Sequence, residues 1–387
     1  MSDIRAGIDN QSTDNQQDAG HQDFSEIAHS GGKVTFNIVS DANGSKRYQI
    51  SYSGASAGPM RMFAIWALPQ GIPVASLQLR GIGSPWDAPP DPTCIAVFIS
   101  SDTEGFFGHE CPDCHGYWRS STHARLCPYC RGHGESFQFL TAAHRSYVRH
   151  YVQTLAMGLA SISPGQSAAV VIDMDAIVDG APDVAKPEFY YPGTSQQTKF
   201  KCSKCETETD IRGRYGFCTR CGWRNNLADL SAEMDRLRAD LNAGRITPED
   251  TVKKAVSLFD ACCRDWVSQL AVLPMRPHRR KMVLDVLFHR LNASGIIERA
   301  FDIEMLKGMS SEDLEYVQLM FQRRHVFEHE GGVATRRYIE ESGDKLTSES
   351  TLIRETRENA HRMVSCLIRM ATNFEAGFHD IFPVLTG

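Results

Sequence analysis

The sequence predicts a multidomain α+β protein, with a β-rich N-terminal region that carries two four-cysteine blocks and an all-α C-terminal region. Three observations predict this class. Val34, Phe36 and Ile38 alternate with polar residues, as in a half-buried strand. A pattern of two C-x-x-C pairs occurs twice with the same twelve-residue spacer. From Leu227 onwards, apolar residues recur at three- and four-residue steps, as in amphipathic helices.

The composition of the chain indicates a globular protein with several domains and no membrane span. The 387 residues are 42% hydrophobic and 23% charged, which is typical of a globular protein with several domains. The net charge of −6 argues against a surface that coats nucleic acid throughout, although a local basic patch remains compatible with it. No apolar run approaches the ~20 residues of a membrane span, and the polar N-terminus lacks a signal-peptide core. We therefore expect a cytoplasmic protein without a membrane partner.

The first part of the chain is predicted to form a β-rich domain over residues 33–105, preceded by a disordered acidic tail at 1–32. Asn43-Gly44 is a strong hairpin turn signal. Residues 136–197 are predicted to add a helix and further strands to this domain. The helix is predicted at Thr141–Leu159, and the strands at Val34–Ile38, Tyr48–Tyr52, Met60–Ala67, Val74–Leu79, Cys94–Ile99, Val170–Ile172 and Phe189–Tyr191.

Eight of the twelve cysteines fall into two blocks of identical spacing. A C-x-x-C knuckle places two thiolates on one side of an ion, and a twelve-residue hairpin returns a second knuckle to the other side, which suits tetrahedral zinc. The blocks resemble zinc ribbons, which we assign to residues 106–135 and 198–226. This resemblance implies two structural Zn²⁺ ions, and their ligands would be Cys111, Cys114, Cys127, Cys130, Cys202, Cys205, Cys218 and Cys221.

Other uses of the paired cysteines fit less well. Disulfides need an oxidising compartment, whereas we expect this protein to lie in the reducing cytosol. An iron site of the rubredoxin kind usually has glycine after each knuckle, which only Cys221 has. A redox C-x-x-C needs no partner pair twelve residues further on. The remaining thiols fit strand or core positions, and we assign no catalytic role to Cys94, Cys262, Cys263 or Cys366.

Basic and aromatic residues are interleaved in both blocks, a composition typical of surfaces that bind single-stranded nucleic acid. In the second block the candidate contacts are Arg214, Arg220 and Trp223. The first block carries Tyr117, Trp118, Arg119, Arg125 and Arg131. The alternative is that the aromatic side chains cover the small hydrophobic face of each ribbon. The ribbons are therefore expected to bind nucleic acid or a protein that acts as a trigger.

Residues 227–387 are predicted to form an all-α bundle of a size that folds alone. Thr247-Pro248-Glu249-Asp250 has the composition of a helix start, with a capping hydroxyl, proline in the first turn and acids at the positive end of the dipole. Ser310 is predicted to cap another helix. Further helices are predicted over Met282–Leu291 and along an apolar stripe from Ile353 to Phe374.

One charged residue extends the apolar face of the helix that follows Ser310. Arg324 lies three residues beyond Phe321 and seven beyond Val317, so it shares their face and needs a partner, a ligand or another subunit. Gly331-Gly332 is predicted to end this helix. His329 would then lie at the helix C-terminus, about 140° around the axis from Arg324.

The segment MFQRRHVFEHEGGVATRRY, residues 320–338, resembles the HEPN superfamily (higher eukaryotes and prokaryotes nucleotide-binding). Many members are ribonucleases of toxin and antiviral systems, and their signature is Arg, four to six residues, then His, with a polar residue directly after the Arg. The residues that match it are Arg324, His325 and His329. Gly331-Gly332 and Tyr338 match the longer form RH…H-x-GG…Y, which is seen in several branches of the superfamily. Glu330 and Ala334 depart from it, where many relatives carry Asn and an acidic residue.

The resemblance implies a metal-independent endoribonuclease that acts on RNA as a homodimer of the C-terminal helical domain. Arg324 and His329 of both protomers would line one cleft, with His325 beside them. The imidazole would act on the ribose 2′-hydroxyl, and the guanidinium would neutralise the transition state. The products would carry a 2′,3′-cyclic phosphate and a 5′-hydroxyl, and catalysis would need no cofactor. The candidate RNA contacts in this domain are Arg279, Arg280 and Arg323, with a solvated helix start as the alternative for the first two.

Two other interpretations compete for the same residues. His325-Val-Phe-Glu328-His329 also matches the inverted zinc-protease pattern H-x-x-E-H, which needs a further Glu downstream and a large mixed fold. Alternatively, both histidines favourably cap a helix C-terminus and Arg324 pairs with Glu328 at i,i+4. The protein would then be a non-catalytic adaptor that dimerises through a HEPN-like domain and binds nucleic acid or protein through its ribbons.

Overall fold

The computed structural model describes residues 33–53, 61–77, 87–102, 104–173, 176–177 and 197–385. The chain divides into two compact units, with the boundary between Gly222 and Trp223. In these described ranges the first unit contains three antiparallel sheets and one long helix, and the second is helical. The predicted α+β class, sheet-rich at the N-terminus and helical at the C-terminus, is therefore confirmed. The predicted tail at 1–32 and the strand at Phe189–Tyr191 lie outside the described residues.

The first unit is built from short strands in three sheets. Their orders are β2-β1-β8, β4-β3-β5 and β6-β7-β10-β9. A 3₁₀ turn at Ser136–Phe139 precedes the long helix α1 (Ala142–Ser161). The strands are β1 (Lys33–Ser40), β2 (Lys46–Ser53), β3 (Met62–Ala67), β4 (Pro73–Leu77), β5 (Ile95–Ser100), β6 (Phe107–Glu110), β7 (Tyr117–Ser120), β8 (Ser167–Asp173), β9 (Gln197–Lys201) and β10 (Glu208–Arg212).

The alternation of apolar residues explains how the first two sheets pack. Phe36 and its apolar neighbours two residues away on β1 are buried, and they share one core with β3, β5 and α1. Tyr151 of α1 meets Phe36 edge to face, with ring centroids 4.8 Å apart. The β1–β2 hairpin pairs Phe36 with Ile50, and Gly44 turns it with φ of +80°. β8 adds to β1 on the other side, so residues C-terminal to α1 do complete this sheet.

The second unit is an all-α bundle in which α2, α3, α6 and α8 pack against one another. Its buried side chains include the fully buried Trp266 on α3, which packs against Phe374 on α8 at 5.1 Å between ring centroids. The helices are α2 (Asn226–Asn242), α3 (Pro248–Leu270), α4 (Pro277–Leu284), α5 (Asn292–Phe301), α6 (Ser311–His329), α7 (Arg336–Ser342) and α8 (Arg357–Ile381).

The helix starts predicted from capping residues are confirmed. The hydroxyl of Thr247 accepts the N–H of Asp250 at 3.1 Å, and Pro248 opens α3. Ser310 caps α6 in the same way, because its hydroxyl accepts the N–H of Asp313 at 3.1 Å. These starts depend on contacts within four residues, which is why the sequence alone predicts them.

The helix predicted over Met282–Leu291 is wrong in its bounds. α4 begins at Pro277 and ends at Leu284, and the next helix begins only at Asn292. The N–H of Phe288 donates to the carboxylate of Asp260 on α3 at 2.8 Å, instead of to a carbonyl of its own helix. A tertiary hydrogen bond thus competes with the local apolar periodicity and wins. The last predicted helix is also shorter at its start, since α8 begins at Arg357 and Ile353 precedes it.

Candidate metal centres and arginine–histidine site

Each cysteine block closes into a compact cluster of four thiols, in which all four Sγ atoms lie within 4.8 Å of one another. A disulfide would be ~2.05 Å long, whereas a tetrahedral site with Zn–S bonds of ~2.3 Å has sulfur–sulfur edges of ~3.8 Å. Each cluster can therefore hold one metal ion, with a geometry compatible with structural zinc. The shortest Sγ–Sγ distances are 3.6 Å for Cys111–Cys130, Cys114–Cys127 and Cys202–Cys221, and 3.5 Å for Cys205–Cys218.

All four C-x-x-C knuckles share one backbone turn. The residue after the second cysteine is left-handed in each, and its N–H donates to the carbonyl of the first cysteine at 2.9 to 3.1 Å. Only one of these four residues is glycine, so the turn does not require one. The missing glycines therefore do not separate a zinc site from an iron site, and the choice of zinc rests on the resemblance of the blocks to zinc ribbons. The residues and their φ values are His115 (56°), Arg131 (61°), Glu206 (60°) and Gly222 (75°).

The two cysteine blocks are not independent modules, because their hairpins form one four-stranded sheet. β7 of the first block pairs with β10 of the second, which places Trp118 opposite Ile211. The blocks also touch near their second knuckles, where the N–H of Phe217 donates to the carbonyl of Pro128 at 2.9 Å. The indole N–H of the fully buried Trp118 donates to the hydroxyl of Thr219 at 3.3 Å. Each cluster is thus supported by backbone and side chains of the other block.

A buried arginine reinforces this junction. Arg119 on β7 has a side chain that is 1% exposed, and it pairs with Asp102 at 2.8 Å and with Asp210 on β10 at 2.6 Å, both fully buried. The half-exposed Glu104 joins Arg119 and Lys199 at 2.9 and 2.7 Å. Burial raises the pKa of Asp102 to about 6, although Arg119 acts to lower it. Arg119 is therefore a structural residue of the sheet, not a surface contact for nucleic acid.

The candidate nucleic-acid contacts of the ribbons differ in exposure. Arg214 and Arg220 lie on the surface, and the guanidinium of Arg214 lies over the ring of Tyr215 at 5.5 Å. Trp118 of the first block is interior, as the alternative interpretation of its aromatic residues predicted. Trp223 belongs to the helical unit, where it stacks on His379 with 3.9 Å between ring centroids.

Adjacent arginines on α6 have opposite environments. Arg323 donates to Glu355 and, at 2.9 Å, to Asp344, and its Nε donates to the hydroxyl of Tyr338 at 3.3 Å. Tyr338 also donates to Asp344 at 2.6 Å. Burial acts to raise the pKa of Asp344, but hydrogen bonds from Tyr338 and Arg323 outweigh it and hold that pKa well below its usual range. Arg323, a predicted RNA contact, is thus occupied inside its own protomer.

Arg324 has no such partners in the described part of the chain. Its Nε is buried without a hydrogen-bond partner, and no ion pair with Glu328 is formed there. The positive charge of Arg324 interacts electrostatically with His289. Burial lowers the pKa of His289; the nearby Asp260 acts to raise it, and the charges of Arg324 and Arg290 lower it further. An arginine that is half-buried and lacks an internal partner is the arrangement expected of a group that meets a ligand or another subunit.

The predicted histidine pair lies at the exposed end of the same helix. His325 and His329 are both exposed, and their ring centroids are 4.8 Å apart. α6 ends at His329, and Gly331 and Gly332 follow with φ of +61° and +84°. The prediction that the Gly-Gly pair ends the helix is confirmed. The chain thus presents two imidazoles to solvent, one directly after Arg324 and one five residues after it.

The basic residues predicted at the start of α4 bind backbone carbonyls. Arg279 donates to the carbonyls of Arg299 and Ala300, at 2.8 and 2.7 Å, in the last turn of α5. The Nε of Arg280 donates to the carbonyl of Ala271, which directly follows α3, at 2.9 Å. Both side chains therefore satisfy carbonyls at helix C-termini, a role that basic residues commonly have. The sequence does not indicate this role, because the carbonyls lie 9 to 21 residues away along the chain.

A polar groove of about 350 Å³ opens beside α6. Gln318, Gln322 and His325 line it, and because they recur at four and three residues they share one helix face. His329, four residues further, continues that line. The motifs in the sequence do not indicate this groove, and its one local signal is the line of polar residues on α6. The residues lining the other walls include His289, Arg290, Leu291, Asn292, Arg337 and Glu341.

Comparison with protein-family models, with curated proteins and with solved structures gives no match to this chain. The helical unit is therefore not assigned to the HEPN superfamily by similarity, and function has to be argued from the side chains described above. Within the described residues, no helix combines the length and the apolar character required to cross a membrane.

Proposed function

We propose that the helical unit is a metal-independent endoribonuclease of the HEPN type, which acts as a homodimer. The sheet that carries the two cysteine clusters would hold two structural zinc ions and bind the nucleic acid or protein that triggers it. Such a protein would serve as a cytoplasmic toxin or antiviral-defence effector. The zinc ions would stabilise the sheet only, since a site closed by four thiolates leaves no position for a substrate.

The observation that carries this proposal is the contrast between the two arginines of α6. Arg323 is neutralised by Asp344 and Glu355, whereas Arg324 has a buried Nε and no partner in the described residues. Leaving a half-buried guanidinium unpaired is unfavourable for folding alone, so a role in binding negative charge accounts for it better. Exposed His325 and His329 lie on the same helix, one and five residues after Arg324.

The chemistry that these residues support is transesterification of an RNA phosphodiester. His329 of one protomer takes the proton of the ribose 2′-hydroxyl as its oxygen attacks phosphorus. The bond from phosphorus to the 5′-oxygen breaks, and His325 or the second His329 returns a proton to that oxygen. Arg324 neutralises the extra charge on the phosphorane-like transition state. The products are a 2′,3′-cyclic phosphate and a 5′-hydroxyl end.

The test is cleavage of unstructured RNA by the purified full chain in magnesium-free buffer with EDTA, compared with His329→Ala. Cleavage by the wild type, at least ~100-fold faster than by the variant, is expected for the loss of one acid–base group. Mass spectrometry of the fragments identifies the cyclic phosphate, and the zinc content is measured after incubation to verify an intact protein. Equal cleavage by both proteins would remove the catalytic assignment.

A second function, that of a non-catalytic adaptor, is favoured by one observation. His329 lies in the last turn of α6, where a cationic imidazole interacts favourably with the helix dipole without any catalytic role. In that case the dimer would bind RNA or protein and leave RNA intact. Size-exclusion chromatography that shows a dimer, together with RNA that remains uncleaved under every triggering condition, would favour the adaptor.

A further inference from the structure

We propose that the groove lined by Arg290, Gln322 and His325 binds a nucleotide unit of single-stranded RNA and directs the adjoining phosphodiester to His329. This inference rests on the proposed nuclease function for its substrate, but it concerns binding and is tested without cleavage. Of the residues that line the groove, only His325 was among the site residues predicted from the sequence.

Side chains that can bind a nucleotide line the groove, and one of its two arginines has no partner among the described residues. Arg290 and Arg337 supply positive charge, and the only carboxylate that lines the groove in the described residues, Glu341, is paired with Arg337 at 2.8 Å. The guanidinium of Arg290 makes no ion pair or hydrogen bond within the described ranges. The planar N–H fork of an unpaired guanidinium can donate to two oxygens of one phosphate group.

The remaining polar side chains suit the base edges of RNA. Asn292, Gln318 and Gln322 each offer an amide donor and acceptor, and none of the three side chains is hydrogen-bonded to another described residue. Phe321 and Leu291 add an apolar part to the lining, against which a base can lie. Recognition of unstacked bases through their edges and faces is typical of single-stranded RNA. An acidic peptide would bind the cationic residues but has no flat base to lie against Phe321 and Leu291.

The line of side chains on α6 connects the groove to the histidine pair. From Gln318 to His329 the helix advances eleven residues, which is about 16 Å along its axis. Gln322 and His325 lie between them on the same face. Arg324 lies close to the groove residue His289: burial lowers the pKa of His289, Asp260 acts to raise it, and the charge of Arg324 lowers it further. The volume of about 350 Å³ lies at the lower end of the ~300–1,000 Å³ range of ligand pockets, as for one small unit of a longer chain.

Binding is measured in the His329→Ala protein, so that cleavage cannot interfere. The probe is a fluorescein-labelled oligouridylate of eight nucleotides, followed by fluorescence anisotropy. Arg290→Glu is expected to weaken binding at least ~10-fold, because it reverses a phosphate-binding charge, and Gln322→Ala about 3- to 10-fold. Arg299→Glu, the same charge change at an exposed position on α5 outside the groove, is the matched control and is expected to stay within about twofold.

The outcomes separate this inference from the nuclease proposal. Equal loss of binding with Arg290→Glu and Arg299→Glu, or no loss with either, would refute RNA binding by the groove. Neither result would bear on whether the protein cleaves RNA. Groove-dependent binding by a wild type that never cleaves RNA would support the groove and remove the nuclease. Uridine monophosphate and a polyglutamate peptide are the competing ligands. If either competes as well as the oligonucleotide at equal concentration, RNA is not the occupant and the inference fails.

Discussion

Replacing the two neighbouring arginines of α6 separately should have opposite consequences. Arg323→Ala removes the partner of Asp344 and Glu355, whose side chains are 3% and 0% exposed. Breaking a buried ion pair from one side costs about 3–5 kcal/mol, because uncompensated charge remains inside. For a unit of this size each kcal/mol corresponds to about 2–4 °C, so the melting temperature of the helical unit should fall by roughly 6–20 °C.

Arg324→Ala should leave stability within about 1 kcal/mol of the wild type, because this arginine gives up no ion pair or hydrogen bond to any described residue. Cleavage of RNA, however, should fall at least ~100-fold, since the charge that neutralises the transition state is lost. Thermal unfolding followed by far-ultraviolet circular dichroism measures the first quantity, and RNA cleavage by the full chain measures the second.

The comparison contains its own control, because both changes remove one arginine from the same helix. If Arg324→Ala destabilised the unit as much as Arg323→Ala, Arg324 would have a structural role and the catalytic reasoning would be refuted. A melting temperature of Arg323→Ala equal to that of the wild type would show that the cluster with Asp344 and Glu355 is energetically unimportant.

Three further predictions concern the metal clusters, the shared sheet and pH. The purified chain should contain about two zinc ions by mass spectrometry of metals; Cys114→Ser should lose at least one, and Cys94→Ser, outside the clusters, none. Arg119→Met should lower the free energy of unfolding by about 3–5 kcal/mol, because Asp102 and Asp210 stay buried without it. Lys199→Met, which removes one side of a half-exposed pair, should lower it by less than about 1 kcal/mol. Equal unfolding midpoints of the two variants in urea would contradict this. Asp344 has a folded-state pKa below the ~3.9 of an unfolded chain, so its stabilisation is complete above that pH and is lost as pH falls further. The melting-temperature difference between wild type and Asp344→Asn should therefore shrink between pH 7 and pH 3.

Features set by residues close in sequence were predictable. The C-x-x-C spacing brings two thiols together within one turn, and the second knuckle follows after a short hairpin, so the eight cysteines of the two clusters follow from the sequence. Capping by Thr247 and Ser310 and the end of α6 at Gly331-Gly332 are also local. In the same way, alternation along Val34–Ile38 predicts a strand with one buried face.

Features set by distant residues were not predictable. β7 pairs with β10 across a separation of some ninety residues, and nothing near Trp118 indicates that it is enclosed between two blocks. Arg119 looked like a surface base because its partner Asp210 lies in the other block. Likewise the sequence separates Arg324 from Arg323 by its place on the apolar face of α6, but it does not show that Asp344 and Glu355 pair with Arg323.

The most direct test of a composite active site is complementation between inactive protomers. Arg324→Ala and His329→Ala proteins are purified separately, mixed, and allowed to exchange subunits, with heterodimers quantified by native mass spectrometry. A mixed dimer keeps one guanidinium and one imidazole in the shared cleft, so RNA cleavage should reappear in proportion to the heterodimer formed. If heterodimers form and cleavage stays at the level of the two parents, Arg324 and His329 of different protomers do not act on one phosphodiester.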